Sequence, residues 1–346
     1  MAREPSKPLG SVVPPVEDWL KKQAAEEIIE APLPIVDPHH HLWDRSDHRY
    51  LLDELLADTG SGHNVQATVF VDCMAFYRQD GPTELRPVGE TEFANGVAAM
   101  AASGFYGPTL ACAGIVSFAD LTRGAMARTA LQSHIHAGNG RFRGIRHAAG
   151  WDASDQVRNS HTNPPQGLYG QQAFREGFAQ LAPLGLSFEA WQFHPQLPEV
   201  IDLAQAFPDT SIVLNHVGGP LGIGPYAGRS EETFADWKRN MAALARCPSV
   251  TVKLGGLGMR IGVFDHHKGA TPPTSRQIAD AWKPWIQTSI ELFGAERCMF
   301  ESNFPVDKIT SGYAVLWNAF KRLAAGASPA EKSALFSGTA RRVYQI

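Results

Sequence analysis

Residues 33–44 read LPIVDPHHHLWD, and this stretch gives the strongest indication of both the fold and the site. Its apolar beginning predicts a buried strand, and three histidines follow where that strand ends. Because strand side chains alternate between two faces, we expect Asp37, His39 and His41 to share one face. Two imidazoles on one face can hold a divalent cation or act as an acid and base pair. A solvated histidine tract is the simpler alternative.

The composition of the 346-residue chain is that of an ordinary globular protein, with 44% apolar residues, 19% charged residues and a net charge of -4. This balance gives no electrostatic reason to expect nucleic acid or a membrane as partner, so we expect a small-molecule substrate. The four cysteines show no CxxC spacing and are predicted to be reduced. With no apolar signal core and no apolar run of bilayer length, a cytoplasmic protein is predicted. Homo-oligomer formation is left open.

Strand-like apolar runs recur along the chain, and helix-like segments separate most of them. The predicted strands are Leu33–His41, Val65–Cys73, Leu110–Phe118, Phe142–Ala148, Leu186–Phe193, Ser211–Val217, Val250–Leu254 and Arg297–Phe304. This alternation implies a parallel sheet, and eight units predict an α/β protein with the (β/α)8 TIM barrel fold. An open doubly wound sheet is the alternative, but no glycine-rich nucleotide turn follows an early strand.

The chain divides into two predicted parts. Residues 1–32 form a short N-terminal extension, in which residues 1–15 are loose and a helix runs from about Val16 to Glu30. Residues 33–346 form the barrel domain. The extension is expected to pack against this main body.

Polar side chains follow several of the predicted strands, which is where a barrel of this kind places its chemistry. They are His39 and His41 after the first strand, Arg146 and His147 after the fourth, Gln192 and His194 after the fifth, His216 after the sixth, Lys253 in the seventh, and Glu301 and Asn303 on the eighth. His216 precedes a glycine-rich loop, a position that favours a catalytic role over a core role. Gln192, which shares a face with His194, and Trp43, which follows the histidines, are candidate substrate contacts.

Several of these residues have a structural alternative. Arg146 suits a two-point clamp on a substrate carboxylate, and a salt bridge within the barrel is its alternative. For Glu301 the alternative is an ion pair with Lys253. For His194, a hydrogen bond to a loop is an alternative of equal weight to an active-site role. Asn303 is an amide and cannot act as a base, so the base must come from His39, His41, His194, His216, Glu301 or Asp307.

Taken together, these residues resemble the amidohydrolase superfamily, and more narrowly its TIM-barrel lactone hydrolases related to 2-pyrone-4,6-dicarboxylate lactonase and sugar lactonases. The resemblance runs from about Pro34 to the C-terminus. The motifs that carry it are His39 to His41, Gly144 to His147, Phe207 to Asp209 with Ile212 to Pro220, and Phe300 to Pro305.

This resemblance implies roles for individual residues. His39 and His41 would hold one divalent cation, zinc or manganese, or would contact substrate in a member that works without metal. His216 would be the sixth-strand histidine, and His194 would match a fifth-strand active-site residue. Arg146 and His147 would contact substrate oxygens. No lysine follows the fourth strand of the kind that is carboxylated in two-metal members, so at most one metal is expected.

The sequence departs from the family pattern on the eighth strand. Where the family usually has Gly-Ser-Asp-Trp-Pro, residues 301–305 read ESNFP, so Asn303 stands in place of the expected aspartate base. Glu301 or Asp307 supplies the missing carboxylate, or a histidine is the base while Asn303 orients water, or hydrolysis has been lost and binding retained.

The leading hypothesis is therefore the hydrolysis of a lactone or similar cyclic ester of a small carboxylated or aromatic-derived metabolite, by water attack at the barrel mouth. Two alternatives remain: a metal-dependent decarboxylase of the same superfamily, and a non-catalytic small-molecule binding protein with a decayed site.

Overall fold

Eight parallel strands surround a barrel axis in the computed structural model, which describes residues 13–346. The strands are β1 Pro34–His40, β2 Asn64–Val71, β3 Leu110–Ser117, β4 Phe142–Arg146, β5 Ser187–Ala190, β6 Ile212–Leu214, β7 Val250–Leu254 and β8 Cys298–Phe300. Each strand pairs with the strand that follows it in the sequence. The predicted TIM barrel is confirmed, and each strand overlaps its predicted range.

The barrel closes between β1 and the segment that follows β8. The backbone N–H of His41 donates to the carbonyl of Phe304 at 2.8 Å, and that of Asn303 donates to the carbonyl of His39 at 3.0 Å. These two hydrogen bonds place Asn303 directly beside the histidines of β1.

Helices separate the strands, as predicted from the sequence. They are α1 Glu17–Leu20, α2 Leu52–Thr59, α3 Val88–Ala102, α4 Ala127–Ala137, α5 Gln172–Phe178, α6 Leu197–Ala206, α7 Ser230–Leu244, α8 Ser275–Phe293, α9 Tyr313–Leu323, α10 Pro329–Ser333 and α11 Thr339–Tyr344. A small antiparallel hairpin of Trp43–Arg45 and His48–Tyr50 follows β1. None of the helices in the described part of the chain is both long and apolar enough to cross a membrane.

The N-terminal segment differs from its prediction. Residues 1–12 of the predicted loose extension lie outside the described residues, and the helix predicted over about 16–30 is wrong beyond Leu20. The side chain of Gln23 donates to the carbonyl of Pro273 at 2.8 Å, and Glu26 accepts from the backbone of Ser275 at 2.7 Å. These hydrogen bonds to the barrel hold the segment outside a helix, which shows tertiary contacts overriding local spacing.

An irregularity in β1 changes which side chains share a face. The pairing register with β2 shifts between Asp37 and His40. Asp37 consequently accepts from the Tyr313 hydroxyl at 2.9 Å and from the Ser302 backbone at 3.0 Å. The prediction that Asp37 shares a face with His39 and His41 is therefore wrong, because a register shift interrupts the alternation.

Candidate active site

A cavity of about 200 Å³ lies at the carboxyl ends of the strands. Five of the sequence-predicted site residues line it: His41, Trp43, Arg146, His216 and Asn303. His39 and Glu301 are fully buried and contact these residues from below. The structure thus brings together seven side chains from β1, β4, β6 and β8 or the segments that follow them.

The carboxylate of Glu301 lies between two histidines. His216 Nδ1 is 2.7 Å from Glu301 Oε1, and the backbone N–H of His216 donates to the same oxygen at 3.1 Å. His39 Nδ1 is 2.8 Å from Glu301 Oε2, at an angle that does not make a hydrogen bond. Because Nδ1 of His216 faces the carboxylate, its Nε2 is the nitrogen left for a reacting group.

Burial controls the ionisation of these three side chains. Loss of solvent raises the pKa of Glu301 to about 8. The same loss of solvent, with the nearby positive charges, lowers the pKa of His39 and of His216 well below the ordinary value. Both imidazoles are therefore neutral at neutral pH, and a neutral imidazole can accept a proton or bind a metal.

His41 presents its Nε2 to the same site. Its Nδ1 lies 2.8 Å from the carbonyl of Val71 and donates to it, which leaves Nε2 without a proton. This Nε2 is 3.3 Å from His39 Nε2. The ring of Trp43 stacks on His41, with ring centroids 5.8 Å apart. The Trp43 ring therefore fixes the orientation of the imidazole at the cavity wall.

A buried ion pair holds Arg146 in place. Arg146 Nε donates to Asp72 Oδ1 at 2.6 Å, and His161 Nε2 is 3.0 Å from Asp72 Oδ2. Arg146 Nη1 remains directed at the site, 3.4 Å from His39 Nε2. Although burial raises the pKa of Asp72, the charges of Arg146 and His161 hold it below its usual value. The salt bridge expected as the alternative for Arg146 is present, and one guanidinium nitrogen still faces the cavity.

The ion pair with Lys253, which was the structural alternative for Glu301, does not form among the described residues. Lys253 Nζ lies 2.8 Å from Glu189 Oε2, on the neighbouring side of the barrel interior. The Tyr344 hydroxyl, on the C-terminal helix, also donates to Glu189. Lys253 Nζ is 3.3 Å from His39 Nδ1, and its charge lowers the pKa of His39 and opposes the rise in the pKa of Glu301. Lys253 therefore pairs with Glu189, which leaves the active-site role as the remaining interpretation of Glu301.

Asn303 is connected to a carboxylate behind the cavity wall. Its Nδ2 donates to Asp307 Oδ1 at 2.8 Å, and the backbone of Gly258 donates to Asp307 Oδ2 at 2.9 Å. Burial raises the pKa of Asp307 to about 8. Glu301 and Asn303 follow β8, which ends at Phe300, so the prediction that they lie on that strand is wrong. The carboxylate of Asp307 does not line the cavity, and its hydrogen bond to Asn303 connects it to the cavity wall.

Besides His39 and Glu301, three predicted residues lie outside this cavity lining. His147 Nδ1 accepts from the backbone of Leu121 at 3.3 Å, and His147 lines a neighbouring cavity of about 320 Å³. His194 Nδ1 accepts from the backbone of Leu221 at 3.2 Å, which is the loop hydrogen bond expected as its alternative. Gln192 is buried, and its amide has no hydrogen-bond partner among the described residues. Their catalytic or substrate-binding roles stay predictions.

Four side chains at the site were missed from the sequence. Asp72 follows β2, where the rule applied to the other strand ends would have found it. His161, in the loop after β4, lies against Asp72. Arg158 and Arg260 line the cavity from loops after β4 and β7. Loop residues of this kind carry no periodic signal, so the sequence alone did not identify them.

The donor set fits one divalent cation. His39, His216 and Glu301 offer ligand atoms that all lie within 4.8 Å of one another. Glu301 Oε2 is buried without a hydrogen-bond partner in the described part of the chain. Neutral imidazoles and a carboxylate are typical zinc ligands. The sequence paired His39 with His41, whereas the three-residue cluster combines His39 with His216 and Glu301; His41 Nε2 lies beside it.

An eight-stranded barrel with histidines at its mouth is what the resemblance to amidohydrolases implied. The chain belongs to the amidohydrolase family, whose sequence model matches residues 36–346.

Individual relatives extend this result. The uncharacterized protein y4mH of Sinorhizobium fredii is 33% identical over 334 residues, which are 90% of this chain and 98% of that protein. The L-fucono-1,5-lactonase of Burkholderia multivorans is 29% identical over 174 residues, 50% of this chain and 56% of that enzyme. The crystal structure of an amidohydrolase from Burkholderia multivorans with bound zinc has a TM-score of 0.68 at 23% identity, covering 90% of this chain and 99% of its own. At that identity, the zinc-bound structure supports the fold alone.

Proposed function

We propose that this protein hydrolyses a lactone or similar cyclic ester of a small carboxylated or aromatic-derived metabolite. The observation that carries the proposal is the His216–Glu301 pair, whose Nδ1 to Oε1 distance is 2.7 Å, at the edge of the cavity. A carboxylate behind an imidazole whose second nitrogen is free orients that imidazole as a general base. The lactonase relative from Burkholderia multivorans supports the same reaction.

His216 is the proposed base. When Glu301 is ionised, it accepts the Nδ1–H of His216 and leaves Nε2 free to take a proton from water. The resulting hydroxide oxygen attacks the lactone carbonyl carbon. The protonated imidazole, stabilised by Glu301, then returns the proton to the ring oxygen as the ring C–O bond breaks. The product is a hydroxy acid, with the former leaving group still attached to it.

Arg146 is the group proposed to stabilise the negative charge that develops on the carbonyl oxygen. Its guanidinium cannot lose its proton, and the Asp72 contact at 2.6 Å fixes its orientation. A fixed, buried cation stabilises a developing oxyanion more than a mobile one in water does. Asn303, which also lines the cavity, is placed to orient the water or the carbonyl.

In the metal-loaded protein His39, His216 and Glu301 would hold the cation, which would supply Lewis-acid chemistry and lower the pKa of a bound water. Lys253 and Arg146 already bring two positive charges to this group of residues. The negative charges of Glu301, Glu189 and Asp72 offset these two positive charges, and an added cation would be a further positive charge in the same group.

The size and walls of the cavity support a small planar substrate. Its volume of about 200 Å³ is below the range of about 300–1,000 Å³ that drug-sized ligands occupy. Trp43, Trp191 and Phe193 contribute aromatic surface, which favours contact with a ring.

Acid release measured with a pH indicator tests the proposal, using aromatic-derived, sugar and aliphatic lactones. Hydrolysis predicts release that His216→Ala removes. A binding protein would bind lactones without releasing acid. A decarboxylase would instead produce carbon dioxide from a hydroxybenzoate-type acid, and either of these results would contradict the proposal.

A further inference from the structure

The active-site cavity has an unbalanced charge. Four arginines line it, and no aspartate or glutamate does so within residues 13–346: they are Arg45, Arg146, Arg158 and Arg260. A cavity lined by one sign of charge attracts ligands of the opposite sign. The charge of this lining therefore bears on the substrate.

Only one of these arginines has a carboxylate partner among the described residues. Arg146 donates to Asp72, which occupies its Nε. Arg260, by contrast, is half-buried, and its Nε is buried without any hydrogen-bond partner from residues 13–346. Arg158 is exposed at the rim of the same cavity. A buried guanidinium nitrogen without a partner is costly, so its persistence indicates a group that a ligand completes.

We propose that Arg260, assisted by Arg158, forms a carboxylate-binding subsite beside the reacting centre, so that the protein selects lactones carrying a carboxylate over neutral sugar lactones. This inference rests on the proposed function and names the substrate class within it. Arg146 serves the reacting carbonyl, whereas Arg260 binds the substituent.

The position of Arg260 suits that role. It belongs to the loop after β7, and Arg158 to the loop after β4, so a ligand in the cavity meets guanidinium groups from two separate loops. Met259 and Ile261, on either side of Arg260, give the cavity an apolar wall there. In such surroundings a charge-assisted hydrogen bond is stronger than in water, and the planar guanidinium matches the two oxygens of a carboxylate.

A matched pair of substrates tests the subsite: a lactone with a free carboxylate and the methyl ester of the same lactone. We expect Arg260→Gln to lower kcat/KM for the carboxylate by about 10- to 100-fold, mainly through KM, and to leave the ester little changed. Arg260→Lys should recover part of the loss. Equal losses on both substrates, or no loss on either, would overturn the subsite.

Arg246→Gln is the control for net charge. Arg246 is exposed and precedes β7, at the end of the barrel away from the cavity. The substitution therefore removes the same charge as Arg260→Gln without changing the site. We expect it to leave the preference for the carboxylate intact. If it reduced that preference as much as Arg260→Gln does, the selectivity would come from the overall field and not from Arg260.

Binding of a lactam, whose amide bond is much harder to cleave than the ester bond of a lactone, separates the subsite from the reaction. Isothermal titration with 2-pyridone-6-carboxylate and with neutral 2-pyridone should show at least about tenfold tighter binding of the carboxylate, and Arg260→Gln should remove the difference. Equal binding of both lactams by the wild type would overturn the subsite, even if lactones are hydrolysed. Selective binding without any turnover would support the subsite and overturn the proposed hydrolysis.

Discussion

His216 Nδ1 lies 2.7 Å from Glu301 Oε1, and both side chains are buried beside the cavity at the barrel mouth. Their sequence positions are far apart, at the ends of β6 and β8. The barrel brings them together because parallel strands end at one mouth. A second histidine, His39, approaches the other oxygen of the same carboxylate at 2.8 Å. The two oxygens of one carboxylate therefore each lie against a different imidazole.

Replacing His216 tests the proposed base. We expect His216→Ala to lower kcat/KM by about 10²- to 10⁴-fold, because general base catalysis typically contributes that much. His136→Ala, which changes an exposed histidine on α4, is the matched control and should keep full activity. Circular dichroism and thermal unfolding establish that both variants fold. A folded His216→Ala protein with wild-type turnover would refute the assignment.

The pKa of Glu301 predicts a pH dependence. Burial raises this pKa to about 8, so at neutral pH much of Glu301 is protonated and cannot accept the Nδ1–H of His216. We expect kcat/KM to rise with pH and to level off above about pH 8. Glu301→Gln should be much less active and lose this rise. A profile that falls between pH 6 and 8 would contradict this role of Glu301.

The Asn303–Asp307 hydrogen bond predicts an unusual response to restoring the family aspartate. Asn303 Nδ2 donates to Asp307 Oδ1 at 2.8 Å, so Asn303→Asp places two carboxyl groups in contact. We expect lower turnover and a lower Tm, most clearly above pH 8, because both groups then ionise. The double variant Asn303→Asp/Asp307→Asn restores a donor and an acceptor and should recover Tm. A gain of turnover in the single variant would instead indicate a decayed site.

The buried Arg146–Asp72 pair is predicted to be important for stability. Asp72→Asn leaves a guanidinium without its counter-charge, which should cost about 3–5 kcal/mol of unfolding free energy. Asp236→Asn is the control, because its ion pair with Arg239 is 59% and 68% exposed at the two side chains. Exposed pairs contribute about 0–1 kcal/mol. Urea unfolding of the two variants measures both values, and equal losses would contradict the prediction.

The sequence predicted the barrel because its signals are local and repeated. Each strand is a short apolar run, and polar residues such as His216 and Arg146 mark strand ends wherever they occur. Partner choice was harder to predict. An ion pair of Lys253 with Glu301 was one of two alternatives, but Lys253 pairs with Glu189, because the fold and not the sequence spacing decides which carboxylate lies nearer.

Local irregularities and loops account for the remaining differences. Asp37 does not share a face with the histidines because the register of β1 shifts between Asp37 and His40, where Pro38 cannot donate a hydrogen bond to the sheet. Arg158 and Arg260 come to the cavity through loop conformations that depend on the whole fold. The site was therefore predictable where strands position it and unpredictable where loops complete it.

Lactone hydrolysis is the central claim, and acid release by chelator-treated protein and by protein reloaded with zinc or manganese tests it most directly. We expect release from at least one lactone in the panel, and no release with His216→Ala. A higher rate after reloading would show that a metal contributes to turnover, and the cluster of His39, His216 and Glu301 is the proposed site for that metal. If neither preparation releases acid from any lactone, while the folded protein still binds lactones of the panel, the claim of lactone hydrolysis is contradicted.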